Sequence, residues 1–301
     1  MSKRYLLLQA TTGLNNKVDP ARLKYNPENG VTELAEAVNI DIDSTGRPRR
    51  RKGFSRVGLH GTVHSLYPTS DFLYFVSDGV IHAMNEAEGI TDLCGISDER
   101  TSYETVGDKV YFSNMRSRGI IIGTTVNNWD KQDYVGPKTY RTYQSPPPGN
   151  FLLLFNGRML IGAGDVIYAS ERFAYSWFDM ARDYMQVGAD LRMLAKVRTG
   201  LYVGVNGRIL YYHGKDFSDV GLNVVSDETI ITGTEQMIQG STFPDYRINE
   251  PIIIAATNKG IVLLGPDGFY KNLTEDKVVY EAGKFGGSVL IDKRYIFSIE
   301  P

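Results

Sequence analysis

The chain is poor in cysteine, in long apolar runs and in surplus charge, and each shortage excludes something. Cys94 is its only cysteine among 301 residues, so no intrachain disulfide can form, which fits folding in a reducing cytoplasm. Set between Leu93 and Gly95, it reads as an inert, partly buried thiol. No stretch approaches the roughly 20 apolar residues of a membrane helix. Behind Lys3 and Arg4 stands only a three-leucine run, shorter than the apolar core of a secretory signal. Neither membrane insertion nor secretion by an N-terminal signal is expected. The net charge is −2, so bulk charge draws in neither nucleic acid nor an anionic membrane, and only a local patch could. Helical periodicity is scarce: Val31-Thr-Glu-Leu-Ala-Glu-Ala-Val38 has helix formers but is too short to hold a helix alone.

What is present is a strand-turn-strand phrase in six versions. It reads Asp71-Phe-Leu-Tyr-Phe-Val-Ser, Gly107-Asp-Lys-Val-Tyr-Phe-Ser, Asn156-Gly-Arg-Met-Leu-Ile-Gly, Thr199-Gly-Leu-Tyr-Val-Gly-Val, Pro251-Ile-Ile-Ile-Ala-Ala-Thr and Asp292-Lys-Arg-Tyr-Ile-Phe-Ser. Anchored at Tyr74, Tyr111, Leu160, Tyr202, Ile254 and Ile296, the phrases are 37, 49, 42, 52 and 42 residues apart. A period of roughly 40 to 50 residues built of strands is that of β-propeller blades. The expectation is an all-β propeller of about six blades, with five or seven as alternatives, over residues 60–301. Residues 1–59 form an N-terminal arm and hairpin. A strand at Tyr5-Leu-Leu-Leu8 would join the strand near the C-terminus and close the ring.

Within the arm, Val38-Asn-Ile-Asp-Ile-Asp43 alternates apolar and polar residues as a half-buried strand does. A turn at Ser44-Thr-Gly46 follows, then the basic run Arg47-Pro-Arg-Arg-Arg-Lys52. Arg47, Arg49, Arg50, Arg51 and Lys52 are the candidate contact with phosphate or with an acidic partner; the plain alternative is a solvated hairpin. Alternation would put Arg47, Arg49 and Arg51 on one side and Arg50 and Lys52 on the other. Gln144-Ser-Pro-Pro-Pro-Gly-Asn150 reads as a stiff connector between blades two and three, since three prolines remove three ladder donors. The aromatic cluster Phe173, Tyr175, Trp177 and Phe178 reads as a loop or single helical turn able to serve as an interface.

Catalytic and metal motifs fall short. Asp41-Ile-Asp43-Ser-Thr45-Gly46 begins like a calcium loop, but its twelfth position is Lys52 and arginines intervene. His60 and His64 would stand roughly 13 Å apart on an extended segment, too far to share one zinc. Gly162-Ala-Gly164 lacks the third glycine and the following helix of a dinucleotide site. No nucleophile elbow is present, and Asp190, Asp219 and Glu250 are not paired by spacing. No enzyme activity, cofactor or metal is expected.

The stretch from Gly13-Leu-Asn-Asn-Lys-Val-Asp-Pro-Ala-Arg-Leu23 through Glu33 to Phe54 resembles the opening of tailed-phage virion structural proteins, an Asn-Val-Asp, Gly-Arg, Arg-Arg-Pro-Gly-Phe/Tyr hairpin ahead of propeller strands. Tyr168–Asp179 and Met193–Gly204 resemble the same group. Lys52 stands where that pattern has proline, and the chain is shorter than nozzle proteins of short-tailed phages. The resemblance implies a β-propeller nozzle or tail-hub subunit of the packaged-DNA stabilisation type. Such a protein is made in the bacterial cytoplasm and carried in the virion tail. About six copies would ring the genome's exit path, touching portal, adaptor, tail fibre and, non-specifically, packaged DNA. The other readings are a carbohydrate-binding or glycan-hydrolysing propeller and a monomeric protein-interaction propeller.

Overall fold

A computed structural model describes residues 11–300 apart from Lys24, 27–29, Ser44, Phe54, 56–60, 132–140, 217–218, Asp276 and 292–293. For Tyr25, Asn26, Gly30, Val31, Lys215, Asp216, Asp219 and Val220 the backbone alone is described. Five antiparallel sheets follow one another along the chain as a five-bladed propeller. Blade one comprises Val63–Pro68, Phe72–Ser77, Val80–Asn85 and Ile90–Gly95. Blade two comprises Ser102–Val106, Lys109–Ser113, Arg118–Ile122 and Thr125–Asn127. Blade three comprises Phe151–Phe155, Arg158–Ala163, Val166–Glu171 and Ala174–Phe178, with Tyr184–Gln186 also pairing onto its third strand. Blade four is Leu191–Val197, Gly200–Val205, Arg208–Asp216 and Asp219–Ser226. Blade five is Gln236–Gln239, Pro251–Thr257, Gly260–Leu264 and Tyr270–Asn272.

The first five phrase anchors all fall on the second strand of a blade. The reason is burial. A second strand lies inside its sheet and is covered on both faces by the neighbouring blades, so it reads as a near-continuous apolar run. Gly200–Val205 is buried at every residue. The sixth anchor, Ile296, lies on Arg294–Ile299, which among the described residues pairs with Gly286–Ile291 alone. That two-stranded sheet is half-exposed along its length, so five blades stand where six were expected. The closing strand at Tyr5–Leu8 lies outside the described residues.

Each junction between successive blades carries its own core. Val76, Ile81, Val110 and Ile121 fill the first, and Trp129, Met159, Ile161 and Phe178 the second. Leu160, Ile167, Val203 and Leu210 fill the third, and Met193, Tyr202, Ile230 and Val262 the fourth. On its far face blade five packs Ile252, Ile254 and Leu263 against Phe243, Tyr246 and Tyr295. A cleft of ≈ 970 Å³ is lined by blade one and the final hairpin and also by the first strands of blades two to five, through Tyr103, Phe151, Leu194 and Gln236.

The arm is tied to the propeller's C-terminal side. Asn16 exchanges hydrogen bonds with Val279, donating from Nδ2 (2.7 Å) and accepting at Oδ1 (2.8 Å). Lys277 Nζ lies 3.5 Å from Glu33. The segment 31–38 is not helical: Leu34 forms a parallel bridge with Leu14 instead. Pairing across the arm supplies the backbone partners that an eight-residue helix would leave unmet at both ends.

Candidate interaction site

The basic run folds as the second strand of a hairpin, Ile40–Ile42 against Pro48–Arg50, with Asp41 opposite Arg49. Asp43 builds the turn. Its Oδ1 accepts from the Thr45 hydroxyl (2.6 Å), the Thr45 amide (2.9 Å) and the Arg47 amide (3.0 Å). Gly46 adopts φ 80°, a left-handed backbone suited to glycine. The Thr45 hydroxyl foremost, then the Arg47 amide, lowers the Asp43 pKa to about 2. A group whose folded pKa is depressed contributes its stability above the unfolded value and loses it as pH falls through the folded one. The Asp43 carboxyl is therefore expected to titrate near 2 by NMR, with the turn loosening in step. Titration at the ordinary 3.8 would mean that the turn does not hold in solution.

Two of the five cations are answered within the hairpin. Arg49 lies 3.0 Å from Asp43 and Arg51 lies 3.2 Å from Asp41. Asp41 is shared with Arg294 of the final hairpin at 3.2 Å, and the Thr11 amide donates to Gly46 O at 2.7 Å. These anchors matter because an isolated two-stranded hairpin is marginal in water. Arg47, Arg50 and Lys52 are exposed and form no ion pair among the described residues. Arg47 sits in the turn, so the free cations are Arg47, Arg50 and Lys52 rather than one alternating side. A hollow of ≈ 350 Å³ on the hairpin is lined by Val38, Asn39, Ile40, Pro48, Arg49 and Arg50. The calcium-like spacing of Asp41 and Asp43 thus serves arginines and a turn.

The aromatic cluster requires a correction. Ala174–Phe178 is the fourth strand of blade three, not a loop or helical turn. Phe178 is fully buried in the junction between blades two and three. Trp177 is buried and tilted against Tyr143 at 5.0 Å, while Tyr175 meets Tyr111 edge-on at 6.2 Å. Only Phe173, 75% exposed in a turn at φ 60°, is available to a partner. Alternating apolar residues mark a strand and a loop alike when a turn precedes them, and here strand pairing decides.

The propeller body brings together charged groups that spacing left apart. Arg141 pairs with Asp183 and lies 3.8 Å from Glu171, and the Tyr143 hydroxyl donates to Glu171 at 2.5 Å. Burial first, then that bond to Glu171, pushes Tyr143 up to about 12. Both carboxylates are thus held by cations and a phenol, which suits a brace for the segment entering blade three. The proline connector beyond it is ordered, with Pro146 and Pro147 buried. In the cleft beside blade one, Asp98 is held by His64 (3.0 Å) and Glu235 by Arg100 (3.4 Å). His82 bonds Asp92 at 2.8 Å, and Glu250 pairs with Arg198 at 2.6 Å. No group of three or more potential metal ligands occurs among the described residues. His60 and the Asp219 side chain lie outside them. Cys94 is partly buried, and burial raises its pKa, as an inert thiol requires.

The likeness to solved structures is one of fold. The extracellular domain of a putative one component system from B. thetaiotaomicron superimposes with TM-score 0.50 at 9% identity, over 79% of this chain and 32% of that chain. The extracellular domain of a putative hybrid two component system from the same organism gives 0.47 at 13%, over 80% and 34%. The Pan2 WD40 domain of Neurospora crassa gives 0.45 at 10%, over 81% and 76%. The chain spans about a third of the length of the B. thetaiotaomicron chains it resembles. No protein-family model matches it, and no curated protein does.

Proposed function

We propose that this chain is a non-catalytic propeller subunit of a phage tail, a nozzle or hub ring that lines part of the DNA exit channel and helps retain the packaged genome. The reading rests on the resemblance of residues 13–54 to virion proteins. The observation that supports it is the folded hairpin that these residues form, with Arg47, Arg50 and Lys52 exposed and without a counter-charge of their own among the described residues. Propellers present surfaces, and their function lies in what is grafted onto them. An arm anchored through Thr11 at its turn and Arg294 on its strand, and carrying free cations, suits assembly onto acidic protein or phosphate. Portal, adaptor and fibre proteins are the proposed neighbours.

The test is to change Arg47, Arg50 and Lys52 together to glutamine. Exposed cations of this kind shift stability by no more than about 0.5 kcal/mol, so the isolated protein should unfold as the wild type does. Incorporation into tails, or retention of packaged DNA, should fall. Particles with wild-type content of the chain and of DNA would remove the arm from assembly, and particles without the chain would end the tail reading.

A further inference from the structure

The charge of blade one is as one-sided as that of the basic run from Arg47 to Lys52. From Gly61 to Glu99 the sequence holds seven carboxylates and no lysine or arginine. Several are answered at home, Asp98 by His64 and Glu99 by Arg116 at 3.0 Å. Asp71, Glu86 and Glu88 are exposed and have no ion pair among the described residues. Asp71 lies in the turn before Phe72–Ser77, and Glu86 and Glu88 in the turn after Val80–Asn85. The pairing of Phe72 with Asn85 sets these two turns side by side at one end of the blade. Glu88, at φ 60°, closes its turn by donating its amide to Asn85 O at 3.0 Å, so the tip Glu86-Ala87-Glu88 projects with a fixed shape.

We infer that this end of blade one docks onto the basic hairpin of a second copy of the chain. Among the described residues the basic run has three free cations, and the blade end has three free carboxylates. Neither set is neutralised among the described residues, and opposite local charge both steers and orders association. The hollow on the hairpin adds a matching shape. Its apolar floor, Val38, Ile40 and Pro48, is edged by Arg49 and Arg50, and Val38 is 70% exposed. A tip carrying Ala87 between two carboxylates fits that floor and that edge. Because the two surfaces differ, the contact is head-to-tail and generates a closed ring or a filament. The inference rests on the proposed ring and names the residues that join its subunits.

The test is a charge swap followed by sedimentation. The wild type should associate in about 0.1 M salt and dissociate in about 1 M, where the screening length has shrunk to a few ångström. Changing Arg47, Arg50 and Lys52 to glutamate should weaken association roughly tenfold or more, as should changing Asp71, Glu86 and Glu88 to lysine. Mixing the two variants should restore association, because each now offers what the other lacks. Glutamates placed instead at Arg208, Lys259 and Lys271 carry the same net charge and should leave association as in the wild type. A wild type that stays monomeric in low salt, reversal variants that associate normally, or a mixture that stays monomeric would each overturn the contact. So would an equal loss in the Arg208, Lys259 and Lys271 variant. A successful swap with no chain in particles would end the tail reading alone. Normal rings in particles built from either reversal variant would end this contact alone.

Discussion

Replacing Trp129 with alanine is expected to cost about 3–5 kcal/mol of stability, the range for truncating a large aromatic in a packed interior. Trp129 is 1% exposed and follows the last strand of blade two. Its ring meets Tyr111 edge-on at 5.0 Å, and its Nε1 donates to Tyr175 O at 3.2 Å. It thus plugs the junction between blades two and three beside Leu152, Met159, Ile161 and Phe178. A domain has only about 5–15 kcal/mol in hand, so this single cavity should leave the variant near its unfolding threshold. Trp129→Phe should recover much of the packing but leave the Tyr175 carbonyl without its donor, at about 1–3 kcal/mol. Denaturant unfolding followed by circular dichroism is the measurement, since the chain has only two tryptophans and fluorescence would lose one of its reporters. A loss below about 1 kcal/mol in the alanine variant would mean that neighbouring side chains collapse into the gap.

Trp129 also marks where the sequence stopped being readable. The five blades were legible because their second strands, such as the one through Tyr202, are apolar on both faces and opened by tight turns. That signal is local. Trp129 comes after strand Thr125–Asn127 in a run with no alternation, and nothing local says that its partner is Tyr175, 46 residues on. The sixth phrase misled for the complementary reason. Asp292-Lys-Arg-Tyr-Ile-Phe-Ser has the letters of a second strand, but whether such a strand gains outer partners depends on residues far from it. The aromatic run Phe173–Phe178 shows the same limit, since composition revealed its apolar character but not which of its rings face inward.

For the arm, the strand, the turn and the charge could all be read from neighbouring residues. The partners could not. The oxygens at Asp41 and Asp43 begin like a calcium loop that the following arginines and Lys52 argue against, and the cations that hold them are Arg49 and Arg51 across the ladder and Arg294 from the final hairpin. Spacing gives the donors and acceptors of a hairpin; only the tertiary fold says which of its charges remain free. Arg47, Arg50 and Lys52 lack the ion pairs that Arg49 and Arg51 make, so the two sets should separate by experiment. Neutralising the free three should alter assembly, whereas neutralising the paired two should loosen the hairpin.

Glu228 supports the second large prediction. Only 5% exposed, it lies between blades four and five and accepts three side-chain hydrogen bonds. They come from Thr257 Oγ1 at 2.6 Å, from the Tyr270 hydroxyl and from Asn272 Nδ2 at 3.3 Å. Glu228→Leu strips all three donors of their acceptor in a buried setting and should cost about 2–4 kcal/mol, since an abandoned buried polar group loses hydration as well as its bond. Glu228→Gln keeps the shape and one acceptor, so its loss should be about half as large. A second readout separates the hub from simple packing. Burial first, then the bond to Glu228, pushes Tyr270 up to about 12 from its ordinary value of 10. A phenol that stays protonated longer when folded contributes its stability in full below pH 10 and loses it as pH rises from 10 toward 12, because the unfolded chain releases that proton first. In Glu228→Gln the Tyr270 titration should move down toward 10, and in Tyr270→Phe its share of the alkaline loss should vanish. The double variant should then lose less than the sum of the singles, by about 0.5–3 kcal/mol. Strict additivity would show that Glu228 and Tyr270 do not act on each other, and wild-type stability in Glu228→Leu would show that the buried hub is dispensable.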